Sequence, residues 1–498
     1  MSENSKKYIV MPRTIGEKEF VGPFAQSGRK SAVLQSLLQK AFPRGAQIPV
    51  TASALDDGLA VLELTDTQVG AFEAANPKVP LHPVRRYRLA AVDIDKVLMT
   101  SAPFNFSGIN AIPGKAFKIK VCDAEGNPLA GVTVVLKEPG MAKPFSSVTN
   151  ERGRVTFDSA SGCAEYIRVA PFSDYWAEMR RGLTSTKPII FTLKSVTPAA
   201  ADCLKYHCSQ ALEPDVCQKE EPRIKVAVID TGIDAHCDLP NVSERTSFTQ
   251  ADEEDDLGDN GTGHGTHVAG IIGANGVSRG LAPNAELISV RVFERDSATT
   301  DTTYVYEGIK AAIDAGVDVI NLSLGQEAED DVLRAAIEDA EAAGILVVAA
   351  SGNEGSNVPQ YPAVYSSVIS VAALGRRGTF PANSEHSAHQ ARAIGSDTDD
   401  FVPNFSNWGA VNLAAPGVAV ISTIGTKGYA ALDGTSMACP VVSGLAAKLL
   451  ESSPLLRGRT RSQARLADLK ALLYDQCNLL GFGTSDVGRG LPHMGGVT

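Results

Sequence analysis

Apolar and polar residues alternate with different periods along the chain, and the changes of period divide it into three segments. In residues 8–95, short apolar runs alternate with apolar residues at helical spacing, in the order strand, helix, strand, strand, helix, strand. This order is typical of the split βαβ, ferredoxin-like fold, so the sequence predicts an α+β domain over residues 1–95. The predicted elements cover 8–11, 32–42, 47–55, 59–64, 65–75 and 79–89.

The second segment, residues 114–195, contains short strand-like runs that are separated by turns rich in Gly, Asn and Pro. Two such turns lie at 125–128 and 150–153, and their spacing predicts a small β-sandwich. The module is similar to immunoglobulin- or transthyretin-like modules, and it holds no candidate catalytic group. Residues 196–223, which contain Pro, Cys and charged residues, are predicted to be a linker.

The third segment, residues 224–480, alternates near-continuous apolar runs with helical patterns. Strands that are apolar on both faces and alternate with helices predict an α/β domain, in which helices flank a mostly parallel sheet. The predicted strands are 224–229, 286–293, 317–324, 345–350 and 368–373, and the predicted helices are 264–274, 303–315 and 331–343.

Composition and charge narrow the possible classes of protein. The 498 residues are 44% hydrophobic, which suffices for several buried cores, and the net charge of −11 argues against a nucleic-acid-binding protein. No apolar stretch approaches the roughly 18–20 residues that a membrane-spanning helix needs. The first twenty residues lack the apolar core of a secretory signal, so we expect a cytoplasmic protein, with export by another route as the open alternative.

Five groups of residues that could carry chemistry lie at the ends of predicted strands or the starts of predicted helices. In an open parallel sheet, ligands bind beyond the carboxyl ends of the strands. A Ser hydroxyl becomes a useful nucleophile when an imidazole removes its proton and a carboxylate orients that imidazole. Such a set is present here: Asp230, Asn353 and the run Ser323, Leu324, Gly325 follow strands, while His264 and Ser436 begin helices.

The sequence around these residues resembles the subtilisin-like serine protease family. Four blocks resemble the family's signature blocks, and their Asp, His, Ser order along the chain is that of the family. The blocks are 226–234, 264–270, 351–355 and 434–440, and the resemblance extends over about 224–480.

The resemblance implies a serine endopeptidase that works through an acyl-enzyme on Ser436. His264 would act as the general base and Asp230 would orient it, while Asn353 and the Ser436 backbone N–H would bind the oxyanion. The resemblance further implies that Ser323, Leu324 and Gly325 pair with the substrate backbone and that Ser351 and Gly352 line the first specificity pocket. It implies no cofactor for the chemistry; structural calcium occurs in the family, but we map no metal ligands in the sequence.

The first segment resembles the inhibitory pro-domain of the same family, which implies a self-processing zymogen. The partners expected are therefore polypeptide substrates and the chain's own N-terminal domain. Residues 1–110 hold 13 basic and 10 acidic residues, whereas residues 224–498 hold 18 basic and 34 acidic residues, so opposite charges favour docking. Self-cleavage could fall at about 90–112 or at 196–223. We favour the first region, because the chain after Leu89 needs only a short reach to the cleft.

Four features leave alternatives open. Residues 294–303 lack the Gly-x-Gly expected of a second substrate-pairing strand, and the acidic group 327–331 is expected to be solvated. His386 and His389 lie in a polar insertion, about 375–405, that either overhangs the cleft or forms a surface loop. The cysteines of the linker, with His207, could be free thiols, disulfides or a zinc site: Cys203, Cys208 and Cys217.

Two further hypotheses compete with a general protease. The first is a silent scaffold that binds a peptide without cutting it. The second is an enzyme of the same fold that acts on a single processing site.

Overall fold

A computed structural model of the chain describes most of its residues. The described residues are 5–10, 30–42, 50–51, 60–92, 94, 106, 114–200, 202–209, 212, 223–249, 257–475 and 477–492. Among these residues, no helix combines the length and the apolar content that crossing a bilayer requires.

The N-terminal domain has the element order strand, helix, strand, strand, helix, strand, around a four-stranded sheet. The strand order is β2-β3-β1-β4, and the apolar faces of the sheet and helices enclose a small core that includes Phe72. Thr65 begins the second helix with a capping box that it shares with Gln68. The elements are β1 (Lys6–Val10), α1 (Lys30–Ala41), β2 (Val50–Thr51), β3 (Ala60–Leu64), α2 (Asp66–Ala75) and β4 (Leu81–Pro83).

The last strand predicted for this domain, 79–89, divides into two strands that belong to different sheets. Strand β4 pairs with β1 inside the domain. Strand β5 (Arg86–Leu89) leaves the domain and forms a three-stranded sheet with two strands of the C-terminal domain. Apolar residues recur at a spacing of two on both sides of Arg85, at 79, 81, 87 and 89, so the pattern predicted one strand and did not indicate this change of partner.

The middle domain consists of two packed sheets. Strands β11-β10-β7-β8 form one sheet and β12-β6-β9 the other, and large apolar side chains such as Phe117 and Phe191 fill the space between them. The strands are β6 (Phe117–Cys122), β7 (Thr133–Lys137), β8 (Phe145–Val148), β9 (Arg154–Phe157), β10 (Cys163–Ala170), β11 (Glu178–Thr184) and β12 (Ile189–Thr192).

The described part of the predicted linker is folded against the C-terminal domain. It contains a short helix, α3 (Cys203–His207), which Asp202 caps while also accepting the backbone N–H of Ile421. Cys203 and Cys208 are buried free thiols, and burial raises the pKa of both. His207 bonds Asp400 at 3.0 Å, whereas Cys217 lies outside the described residues.

The C-terminal domain is built on a nine-stranded sheet, most of which is parallel. The order is β14-β15-β13-β17-β19-β20-β22-β21, with β23 also paired to β20. Every residue of β17, β19 and β23 is buried, as the apolar runs predict for strands that are covered on both faces. The α/β architecture expected from the sequence is therefore present.

The bounds of the elements in this domain follow those predicted to within a few residues. Its strands are β13 (Lys225–Asp230), β14 (Val242–Ser247), β15 (Glu286–Arg291), β16 (Thr299–Asp301), β17 (Val319–Leu322), β18 (Leu324–Gly325), β19 (Leu346–Ala350), β20 (Val368–Arg376), β21 (Ala391–Ile394), β22 (Asp400–Pro403), β23 (Leu413–Pro416), β24 (Val420–Ile424), β25 (Gly428–Leu432), β26 (Cys477–Asn478) and β27 (Leu491–Pro492). Its helices are α4 (His264–Gly273), α5 (Thr302–Asp314), α6 (Asp331–Ala342), α7 (Thr435–Ser452), α8 (Gln463–Asp475) and α9 (Thr484–Val487), with a 3₁₀ turn at Glu385–Ala388.

The polar insertion at about 375–405 buries its two histidines rather than exposing them. His386 Nδ1 lies 2.8 Å from both carboxylate oxygens of Asp433, and His389 Nε2 lies 2.8 Å from one of them. The insertion is therefore not a loose surface loop at these histidines, which are both buried, and its Ala388 packs in one apolar cluster with Val92. It joins the β-sandwich to the C-terminal domain, because Arg168 of the sandwich also pairs with Glu385 at 3.0 Å.

In the cluster of His386, His389 and Asp433, the positive charge of an imidazole faces the negative charge of the Asp433 carboxylate. Burial alone would raise the pKa of the Asp433 carboxyl, but the two imidazoles hold it below its usual value. Burial alone would lower the pKa of His386, but the Asp433 carboxylate raises it above 6.5. The folded state therefore favours the ion pair over the separated neutral groups.

We expect Asp433→Asn to lower the melting temperature, measured in a Ser436→Ala background that cannot cut itself. Breaking a buried ion pair by removing one partner costs about 3–5 kcal/mol, which corresponds to roughly 5–15 °C here. The depressed Asp433 pKa makes the pair stabilising above about pH 4, and the raised His386 pKa removes that stabilisation as pH rises past about 6.5. The difference in melting temperature should therefore be largest between those pH values and shrink on both sides.

The exposed Asp399→Asn on the same insertion is the matched control and should leave the melting temperature nearly unchanged. A melting temperature of Asp433→Asn equal to that of its parent across pH 4–8 would contradict the ion pair.

Candidate active site

Asp230 and His264 form a buried hydrogen-bonded pair at the carboxyl edge of the parallel sheet. Asp230 is the last residue of β13 and His264 is the first residue of α4. His264 Nδ1 lies 2.7 Å from Asp230 Oδ1, and the same oxygen accepts the backbone N–H of Thr231 at 2.7 Å. The carboxylate can therefore fix the tautomer of the imidazole and stabilise its cation.

Ser436 lies in the first turn of α7, which packs against α4. Its hydroxyl donates to the main-chain oxygen of Ser323 at 2.9 Å, so it is not bonded to His264 here. The Nε2 atom of His264 is buried and has no hydrogen-bond partner in the described structure. The imidazole thus has one nitrogen held by Asp230 and the other free to accept a proton.

The chain after the N-terminal domain runs into this site. We call residues 86–92 the tail. The carbonyl oxygen of Ala90 in the tail accepts two hydrogen bonds, one from the backbone N–H of Ser436 at 3.0 Å and one from the side-chain amide of Asn353. Two donors that converge on one carbonyl oxygen are the arrangement that stabilises a developing oxyanion.

The amide of Asn353 is oriented by Thr435. Its Oδ1 accepts both the backbone N–H and the hydroxyl of Thr435, each at 3.0 Å. With the oxygen held in this way, the NH₂ group faces the carbonyl of Ala90. The donor is therefore fixed before any charge develops on the oxygen.

The tail is paired on both sides as the middle strand of a three-stranded antiparallel sheet. Leu89 and Arg88 of β5 pair with Leu324 and Gly325 of β18, and the Ala90 N–H donates to Ser323 O at 3.0 Å. Ser323, Leu324 and Gly325 thus contact the backbone of the tail; their pairing with a separate substrate stays a prediction.

The second edge of this sheet is β16, which pairs with β5 even though residues 294–303 lack Gly-x-Gly. The missing Gly-x-Gly left pairing on this side open, and the structure shows that a pairing strand forms there. Backbone N–H and C=O groups make these bonds, so pairing does not require glycine.

The tail passes close to Gly434 beyond Ala90. A Cβ at Gly434 would lie 2.5 Å from the Ala90 carbonyl oxygen, and its φ of +146° is one that other residues rarely adopt. Val92 N–H then donates to Asp433 O at 3.1 Å. The chain on both sides of the Ala90–Ala91 bond is therefore held in place.

Ser351 and Gly352 follow β19 and bond the segments that surround the site. The Ser351 hydroxyl donates to Asn407 O at 3.2 Å, and the Gly352 N–H donates to the Thr435 hydroxyl at 3.1 Å. No hydrogen bond joins either residue to the tail in the described structure. Ser351 is bonded mainly to Asn407, whereas Gly352 bonds both Asn407 and Thr435, the residue before Ser436.

Asp433 was missed as a residue of this site by the sequence analysis. It precedes Gly434, and its carboxylate accepts the Ala419 N–H at 2.7 Å in addition to the two imidazoles. The loop that carries Ser436 is thereby anchored to the insertion. His386 and His389 lie more than forty residues away in sequence, so no local spacing could indicate the pairing.

Other histidines near the site have structural roles. His267, one turn after His264, bonds the carbonyl oxygens of Val420 and Ala430, and burial lowers its pKa to about 3. It therefore stays neutral and joins β24 to β25.

The group His236, Cys237 and Asp238 is the cluster of potential metal ligands among the described residues. His236 Nδ1 already accepts the N–H of Asp238, and Nε2 bonds Gly428 O at 3.1 Å. The Asp238 oxygens accept the N–H groups of Val277 and Ser278. Because these atoms are engaged within the protein, the cluster does not fit a metal site.

Comparison with known proteins places the C-terminal domain in a family. The model of the Subtilase family matches residues 222–489. Subtilisin DY of Bacillus licheniformis is 40% identical over 243 residues, which are 47% of this chain and 78% of that protein. Thermitase of Thermoactinomyces vulgaris is 38% identical over 251 residues, 49% of this chain and 78% of that protein.

An alkaline protease of Alkalihalobacillus alcalophilus is 38% identical over 235 residues, which are 46% of this chain. This chain therefore spans only about half (55%) of that relative's length. The resemblance inferred from the four sequence blocks is confirmed by these matches. The family model matches more than half of the residues of this chain, so this chain belongs to the subtilase family, the subtilisin-like serine endopeptidases.

Proposed function

We propose that this chain is a zymogen that hydrolyses its own Ala90–Ala91 bond and then acts as an endopeptidase on other polypeptides. The observation that carries the proposal is the Ala90 carbonyl, bound between the Asn353 amide and the Ser436 N–H. Extended pairing of the tail on both edges supports the same assignment, since substrates that bind as an added strand use these bonds.

The proposed reaction starts when Ser436 Oγ turns from Ser323 toward the imidazole and attacks the Ala90 carbonyl carbon. His264 Nε2 takes the hydroxyl proton, and Asp230 stabilises the resulting cation. Asn353 and the Ser436 N–H hold the negative oxygen of the tetrahedral intermediate.

The intermediate then collapses. The Ala90–Ala91 bond breaks, and the Ala91 amine leaves with the proton from His264. The acyl-enzyme on Ser436 is hydrolysed by water, again with His264 as base.

Cleavage at Ala90–Ala91 leaves the β-sandwich on the mature enzyme. Of the two regions the sequence left open, this bond falls at the start of 90–112 and not in 196–223. The paired tail and the opposite charges of the two domains support an N-terminal fragment that stays bound as an inhibitor after the cut.

We expect the purified wild-type protein to yield an N-terminal sequence that begins at Ala91, and Ser436→Ala to remain uncut. Removing the nucleophile's oxygen leaves no atom to form the acyl-enzyme. N-terminal sequencing and intact mass check both proteins. Ser443→Ala, a buried serine later in the same helix, is the matched control and should still be cut. A wild-type protein that stays intact, or one whose new N-terminus lies within 196–223, would contradict the proposal.

Asn353→Ala should lower kcat about 10²- to 10³-fold on a peptide substrate, with KM nearly unchanged. The side-chain donor contributes mainly when the oxygen carries charge, so its removal affects the transition state. Steady-state kinetics of the mature enzyme measures this effect. The exposed Asn357→Ala serves as the matched control and should keep wild-type kcat. An unchanged kcat in Asn353→Ala would remove Asn353 from the oxyanion site.

A further inference from the structure

We propose that Asp330 selects tyrosine at the fourth residue before the bond that is cut. The inference rests on the proposed function, because it counts back from Ala90 as the first residue, which makes Tyr87 the fourth. A hydroxyl that meets a buried carboxylate in this pocket would make the enzyme selective for a polar aromatic side chain.

The first three side chains of β5 alternate between solvent and protein. Arg86 and Arg88 are exposed, Leu89 is partly buried, and Tyr87 is fully buried at 0% exposure. This alternation follows from the period of two in a strand paired on both edges. The fourth position is therefore where the protein surrounds a substrate side chain most completely.

The hydroxyl of Tyr87 donates to Asp330 Oδ2 at 2.9 Å. Burial and the Asp330 charge raise the pKa of this hydroxyl well above 10, so it keeps its proton and remains a donor. Asp330 is itself only 3% exposed, so the expectation that the whole acidic group 327–331 is solvated is wrong for this residue. The bond is a charge-assisted one that is shielded from water.

The carboxylate is held in position by bonds that do not involve the tail. Its Oδ1 caps α6 by accepting the N–H groups of Val332 and Leu333, and its Oδ2 also accepts the Thr302 hydroxyl at 2.6 Å. The Tyr365 hydroxyl donates to Asp330 O at 2.7 Å and fixes the backbone. The acceptor therefore stays in place when the tail leaves, ready for the next substrate.

Phenylalanine fills the same apolar volume but lacks the hydroxyl. The loss of a hydrogen bond to a buried charged group reduces binding, and sites built to bond a substrate hydroxyl reject analogues without it. The Thr302 hydroxyl still donates a hydrogen bond to the Asp330 carboxylate when the tyrosine hydroxyl is missing. We therefore expect a moderate preference for tyrosine, about 10- to 100-fold in kcat/KM. The exposed positions of Arg86 and Arg88 should tolerate most residues.

The test uses the mature wild-type enzyme and two peptides that differ by one oxygen atom. One carries the tail sequence Arg-Tyr-Arg-Leu-Ala-Ala-Val, and the other has Phe in place of Tyr. The expected result is a kcat/KM about 10- to 100-fold higher for the Tyr peptide. This arm changes only the substrate, so the fold of the enzyme is not at risk.

Two variants assign the effect to Asp330. Asp330→Ser keeps a helix-capping side chain but is too short to bond the tyrosine, so the preference for Tyr should fall to less than about 3-fold. Asp331→Ser makes the same change at the adjacent residue, which lies outside the pocket, and should keep the preference of the wild type.

Equal turnover of the two peptides by the wild type would overturn the inference and leave the proposed function standing. A preference that persists in Asp330→Ser would also overturn it. Failure to cut either peptide would contradict the proposed function itself, and the inference with it.

Discussion

The site is organised around one interaction, the binding of the carbonyl oxygen of Ala90 by two hydrogen-bond donors. The Ser436 N–H and the Asn353 amide both donate to it, and they do so from the start of α7 and the loop after β19. Both donors are fixed by the protein: one belongs to the backbone of a helix start, and the other is locked by Thr435. Donors that are already oriented need not reorganise when charge develops, which is the physical basis of oxyanion stabilisation.

The three domains of the chain meet around this point. The N-terminal domain supplies the strand that enters the cleft, and the C-terminal domain supplies the strands that pair with it and the residues Asp230, His264 and Ser436. The β-sandwich reaches the same region through the insertion, since Arg168 pairs with Glu385 beside the histidines that bind Asp433. Asp433 in turn accepts Val92 N–H with its backbone oxygen. The middle domain therefore contributes to the support of the loop that carries Asp433 and Ser436.

The sequence predicted those features that depend on neighbouring residues. The apolar runs indicated the parallel sheet, and Asp230 and His264 were recognisable from blocks of a few residues. Features that depend on distant contacts could not be predicted. Strand β16 pairs through its backbone, which has no residue signature, and Asp433 meets histidines that are more than forty residues away. Asp330 bonds Thr302 and Tyr365, which are distant in sequence, so its acidic neighbours alone indicated a solvated surface.

The central claim is that Asp230 and His264 activate Ser436 in a site that the tail covers. Labelling with a fluorophosphonate measures this activation directly, because only a serine whose proton can be removed reacts quickly with it. After removal of the N-terminal fragment, the account predicts rapid labelling at Ser436, located by peptide mapping, and much slower labelling while the fragment is still bound. Absence of label on Ser436 in the freed enzyme, or labelling at the same rate with the fragment bound, would contradict it.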